Sequence, residues 1–77
     1  MPHVIVKLYP GRTEEQKKQL AEAITRSVVE IAGCKEASVS VAIQEIEESE
    51  WAETVYKPDI LDNEDKLVKK PGYNPFQ

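Results

Sequence analysis

One cysteine, one histidine and three glycines in 77 residues set the first limits on this chain. Cys34 has no internal thiol partner, so no disulfide staples the fold. His3 and Cys34 are the only soft metal ligands and lie far apart in sequence, which argues against a structural or catalytic zinc. Basic residues are outnumbered, 10 against 14 acidic, for a formal charge of −4. Nucleic acid, which calls for a basic face, is therefore not an expected partner. No apolar run approaches the ~18 residues of a membrane span, and no signal-peptide pattern opens the chain. A soluble cytoplasmic setting is expected, and a lone thiol agrees with it. Repeats, low-complexity tracts and linkers are also absent.

What is present is one small domain, expected to occupy residues 1–77 with a core over 1–46 and an extension over 47–77. Its hydrophobic fraction of 40% is ordinary for a globular protein and too high for a disordered one. A chain of this length buries only about 60–65% of its unfolded surface, so its private core is marginal. With disulfides and zinc excluded, self-association is the remaining stabiliser, and a homo-oligomer is expected on physical grounds alone.

The hydrophobic pattern predicts a fold of α+β class. In VIVKLY, Val4, Val6 and Leu8 alternate with Ile5, Lys7 and Tyr9, the period of a strand with one strongly apolar face. Pro10–Arg12 signals a turn, and T-E-E-Q from Thr13 to Gln16 spells a capping box. A helix of about nineteen residues should follow, with Leu20, Ala23, Ile24, Ser27, Val28 and Ile31 as its apolar stripe and Gly33 as its stop. Outer pairs Glu14–Lys18 and Glu22–Arg26 are expected to support it. SVSVAIQEI, residues 38–46, reads as a second strand, so the core is a β-α-β unit with parallel strands. A two-stranded parallel sheet covered on one face only needs a partner subunit to complete it. Beyond Glu47 a short helix is expected around Trp51 to Tyr56, ending near Pro58. A second is expected in DNEDKLVKK, capped by Asp62 or Asn63. Tyr73 and Phe76 in the tail suggest docking, with a partner subunit as one candidate.

Pro2 poses the chemical question. It is well placed simply to begin a strand where no donor is needed. Once Met1 is removed, however, it is a secondary amine. A partly apolar pocket and a nearby cation such as Arg12 would lower its pKa and populate the neutral base near pH 7.

The stretch PHVIVKLYPGRTEEQKKQLAEAITRSV, continued by SVSVAIQEI, resembles the opening of the 4-oxalocrotonate tautomerase family. The ending, with ESEWAETVY and LVKKPGY, is similar to the PptA-type branch, small tautomerases that resemble dimers more than hexamers. The resemblance implies a cofactor-independent keto-enol tautomerase built on β-α-β subunits. It implies Pro2 as general base, Arg12 as the residue that binds a substrate carboxylate, and Trp51 as an aromatic lining the pocket. It implies no metal and no organic cofactor. One position departs from the pattern: Ser40 stands where hexameric members carry a second arginine. A hydroxyl in place of that charge disfavours a dicarboxylate such as 4-oxalocrotonate. A monoacid, either a 2-hydroxy-2,4-dienoate or an arylpyruvate enol, fits better, with its carboxylate on Arg12 and its tail near Trp51. Lys7, Tyr9, Tyr56 and Lys70 are read as surface or packing residues. Two other readings stay open: hydratase or dehalogenase chemistry with a protonated Pro2 as acid, and a non-catalytic oligomeric binding module.

Overall fold

A computed structural model describes residues 1–77 and divides them into two units, Met1–Glu45 and Ile46–Gln77. The first unit is the expected β-α-β. Strand β1 (His3–Leu8) lies parallel to strand β2 (Ser40–Glu45), in register from His3↔Ser40 to Leu8↔Glu45, with helix α1 (Glu14–Val28) as the crossover. Pro2 sits just ahead of β1, where its missing N–H costs no ladder bond. Its carbonyl still accepts from the Ser40 amide at 3.2 Å and closes the sheet at its head. Gly11 turns the chain with φ of +126°, a backbone state that side chains other than glycine resist.

The capping box forms as spelled. The Thr13 hydroxyl accepts from the Gln16 amide at 3.0 Å, and the Gln16 side chain accepts from the Thr13 amide at 2.8 Å. The helix sits one step round from the expected stripe. Lys17, Ala21, Ile24, Thr25 and Val28 are its half-buried residues, whereas Leu20 is 38% exposed and Ile31, just beyond it, 86%. Ala21 and Thr25 leave room for the sheet, and the Thr25 hydroxyl is satisfied by donating to the Ala21 carbonyl at 2.8 Å. An apolar stripe wider than the face it covers leaves its edge to be settled by packing. The expected Glu14–Lys18 pair is replaced by Lys17, whose ammonium meets Glu14 at 2.8 Å and Glu45, at the end of β2, at 3.5 Å. Past Val28 the coil widens into a π-helical turn, Val29–Gly33, and stops at Gly33 with φ of +72°, as predicted for a left-handed terminus. A 3₁₀ turn, Glu36–Ser38, takes the residue expected to open the second strand, so β2 starts at Ser40.

In the second unit a short helix α2 (Glu48–Trp51) leads into a π-helical stretch, Ala52–Ile60, and then a 3₁₀ stretch, Leu61–Lys66. Pro58 does not end the run. It lies inside the π-helical stretch, which continues past it to Ile60 although proline offers no N–H to the helical ladder. Asn63 is not an N-cap either. Its side-chain amide donates to the carbonyls of Pro58 at 3.1 Å and Asp59 at 3.5 Å, so it serves the end of the preceding helix. Tyr73 and Phe76 dock within their own unit, on Tyr56, with ring centroids 5.4 and 6.0 Å away.

Val55 and Tyr56, both in the second unit, are the only buried residues, 4% and 6% exposed. The β-α-β unit alone has none, and the sheet face opposite α1 leaves Ile5 50% exposed. No helix is long and apolar enough to cross a membrane.

Candidate active site

Pro2, His3 and Ser40 meet at the head of the sheet. Strand register sets His3 opposite Ser40. Their side chains join through His3 Nδ1 and Ser40 Oγ at 2.6 Å, while the Ser40 amide holds the Pro2 carbonyl. Alternation along the strands puts His3, Ile5 and Lys7, with Ser40, Ala42 and Gln44, on the face away from α1. Pro2 is half-buried and Met1, ahead of it, is wholly exposed. Loss of Met1 would therefore disturb no packing and would leave a secondary amine one residue ahead of the His3–Ser40 pair.

Arg12 lies at the other end of β1. The strand separates it from Pro2 by roughly 20 Å, given ~3.3 Å of rise per residue over His3–Leu8. Its guanidinium is exposed and donates to the Tyr9 carbonyl at 3.4 Å, leaving other donors for a ligand. Thr13 beside it caps α1, so the positive end of the helix dipole adds to the guanidinium charge. Trp51 is half-buried in the second unit. Its indole N–H donates to the Tyr73 hydroxyl at 2.9 Å, and Tyr56 donates from its own hydroxyl to the Tyr73 carbonyl at 3.2 Å. The tryptophan is thus tied into an aromatic cluster by a hydrogen bond that fixes its orientation.

Of the four residues singled out by sequence, Pro2 and Ser40 are brought together in one chain, Arg12 stands at the opposite end of β1, and Trp51 belongs to the other unit. His3 is the residue that sequence reasoning passed over, having weighed it only as a metal ligand. The parallel register of a β-α-β unit was the signal that could have found it, because it pairs the residue after Pro2 with Ser40. No group of three His, Cys, Asp or Glu side chains gathers to hold a metal ion. Cys34 is half-buried just past the helix stop, its Sγ 4.0 Å from the Val28 carbonyl. Lys17 is held above its ordinary pKa by its hydrogen bond to Glu14 and by the charges of Glu14 and Glu45, and it serves the fold rather than the site.

An open concavity of about 680 Å³ runs along α1, with Ala21, Val29 and Val41 on its floor and Lys18, Glu22 and Arg26 on its rim. None of the four candidate residues lines it. Its mixed-charge rim on a helix flank suits a packing surface better than a reaction chamber.

Comparison with known proteins gives one consistent picture. Residues 2–54 match the family described as tautomerase enzyme, and the match begins at Pro2. The chain is 41% identical over 75 residues to tautomerase PptA of Pectobacterium carotovorum, covering 96% of this chain and 99% of that one. It is 38% identical over 74 residues to tautomerase PptA of Cronobacter sakazakii, covering 95% and 97%. Among solved structures it is similar to YwhB, a 4-oxalocrotonate tautomerase homologue, with 43% identity, a TM-score of 0.59, and coverage of 60% of this chain and 75% of that one.

Proposed function

Since the chain belongs to the tautomerase family and is an enzyme of that isomerase class, we propose that it interconverts the enol and keto forms of a small 2-hydroxy-2,4-dienoate or arylpyruvate-type acid, with Pro2 as general base. The observation that carries this reading is a half-buried proline at the head of β1, next to an exposed Met1 and standing where the family match begins. Removal of Met1 frees the amine. Pro2 takes the enol O–H proton, the O–H electron pair becomes the carbonyl π bond, and the former C=C pair collects the proton from the prolinium at carbon. A positioned base contributes about 10²- to 10⁴-fold to the rate. The residues present provide binding, orientation and proton transfer, which is all that this chemistry requires.

Arg12 takes the substrate carboxylate, and the second copy supplies it. The ~20 Å between Pro2 and Arg12 within one chain is too long for one small acid to bridge. A second copy whose sheet runs antiparallel reverses the strand ends and sets its Arg12 at the first copy's Pro2. The same pairing covers sheet that one chain leaves bare, so a homodimer in the cytoplasm is the assembly we favour. We assign Ser40 to the pocket at the substrate's polar end.

Two experiments test this. Pro2→Ala, with Met1 removal checked by intact mass, should lose about 10²- to 10⁴-fold in kcat/KM on a phenylpyruvate enol followed by ultraviolet absorbance. Full activity in that variant, or in protein that retains Met1, would remove the amine as base. Mixing Pro2→Ala and Arg12→Ala subunits, assayed at substrate far below KM where each parent is impaired, should restore roughly a quarter of wild-type activity, because half the dimers are mixed and each holds one intact site. A mixture as dead as its parents would show that Arg12 acts within its own chain or not at all.

A further inference from the structure

The hydrogen bond between His3 and Ser40 has no evident role in holding the fold together. Both side chains are exposed in the single chain, and the ladder at that point is already closed by the Ser40 amide and the Pro2 carbonyl. What the bond does is orient an imidazole. With Nδ1 committed to Ser40 Oγ, the ring's other nitrogen, Nε2, points away from β2 and has no partner in the chain. In the tautomer where Ser40 donates to Nδ1, that free nitrogen carries the proton and is a donor. It belongs to the residue after Pro2 and lies on the face away from α1, so a substrate bound at the amine and extending over that face would meet it.

We infer that His3, oriented by Ser40, donates a hydrogen bond from Nε2 to the 2-oxygen of the substrate acid and so helps decide which enol acids are turned over. The inference rests on Pro2 as base and extends it. When Pro2 removes the enol proton, negative charge develops on that oxygen until the carbonyl forms, and a donor aimed there stabilises the transition state more than the ground state. Arg12 is engaged with the carboxylate and does not fill this place. An uncharged N–H donor suits the task, since it steadies the dienolate without forming an ion pair that would resist protonation at carbon. Charged neighbours on this face are few: Lys7 stands at the far end of β1, and Ile5, Ala42 and Gln44 carry no charge. Ile5 and Ala42 give the apolar surface next to the donor, which fits a substrate with one oxygenated end and a hydrocarbon or aromatic tail.

His3 is the only histidine, so its imidazole carbon and nitrogen resonances in an NMR spectrum are unambiguous. Phenylpyruvate at saturating concentration should shift them in the wild type and in Pro2→Ala alike. His3→Ala should lose about ten- to a hundred-fold in kcat/KM, chiefly in kcat, and His3→Gln, which keeps an N–H at the Nε2 position, should recover most of it. Ser40→Ala should move the His3 Nδ1 resonance and lower kcat, and Ser40→Thr, which keeps the hydroxyl, should restore both. An unmoved His3 signal with phenylpyruvate bound, or wild-type kinetics in His3→Ala, overturns the inference. Failure of the base reading is visible separately: an active Pro2→Ala whose His3 resonances still shift with phenylpyruvate leaves the donor role standing and removes only the amine.

Discussion

Trp51 and Tyr73 illustrate how one side chain can serve two ends. The indole N–H and the phenol oxygen are 2.9 Å apart, and the Tyr73 carbonyl accepts from Tyr56, the most buried tyrosine of the chain. Tail and helical segment are thereby tied by polar contacts around a cluster of rings, which adds direction to apolar burial. Trp51→Phe keeps most of the ring volume and removes the donor, so it should cost about 1 kcal/mol in chemical denaturation, and Tyr73→Phe about the same. The double variant should cost little more than either alone, since both remove one bond. Additive losses would show that each side chain has its own separate role. Arg12 is the contrasting case, an exposed side chain with a single weak bond at 3.4 Å. Arg12→Ala should leave the melting temperature nearly unchanged while raising KM for carboxylate substrates, because charge-assisted recognition is lost without any packing.

Helix α1 joins capping, ion pairing and an unusual end in one element. Thr13→Ala removes one half of the capping box and should destabilise the fold by about 1 kcal/mol in urea titrations. Lys17 ties the start of α1 to the end of β2 through Glu14 and Glu45. Its pKa is raised in the fold, so its stabilising contribution is complete below the ordinary lysine pKa and disappears as pH rises through the folded value. Thermal melts of wild type and Lys17→Met should therefore differ near neutrality and converge in strongly alkaline buffer; a constant gap would assign Lys17 a packing role instead. The capping box, the glycine stop and the parallel pairing were legible because each depends on neighbours in sequence or on one loop closure. The facing edge of the stripe, the passage through Pro58 and the use of Asn63 as a C-terminal cap were not. Each depends on what packs alongside, and local propensity does not record that.

Taken as one body, the β-α-β unit has no fully buried residue, and Leu20, Ile31 and Ile5 meet water. Burial on this level is small against the conformational entropy of ordering the chain, which is the physical ground for expecting stability to be shared with a partner. Light scattering should find no monomer at micromolar concentration, and dilution should lower the melting temperature and the activity together. A stable, active monomer would contradict both the missing core and the shared site.

Sequence alone carried the β-α-β order and the helix start and stop, because strand alternation, helix caps and turn residues act through short-range sterics and hydrogen bonds, and its resemblance to a known family carried the family. Three-dimensional packing was needed to bring His3 and Ser40 together, to part Pro2 from Arg12 by the length of a strand, and to fold Tyr73 and Phe76 onto Tyr56. These are meetings and separations of residues distant along the chain or fixed by the rise of an extended backbone, and they follow from register and burial rather than from the local identity of any residue.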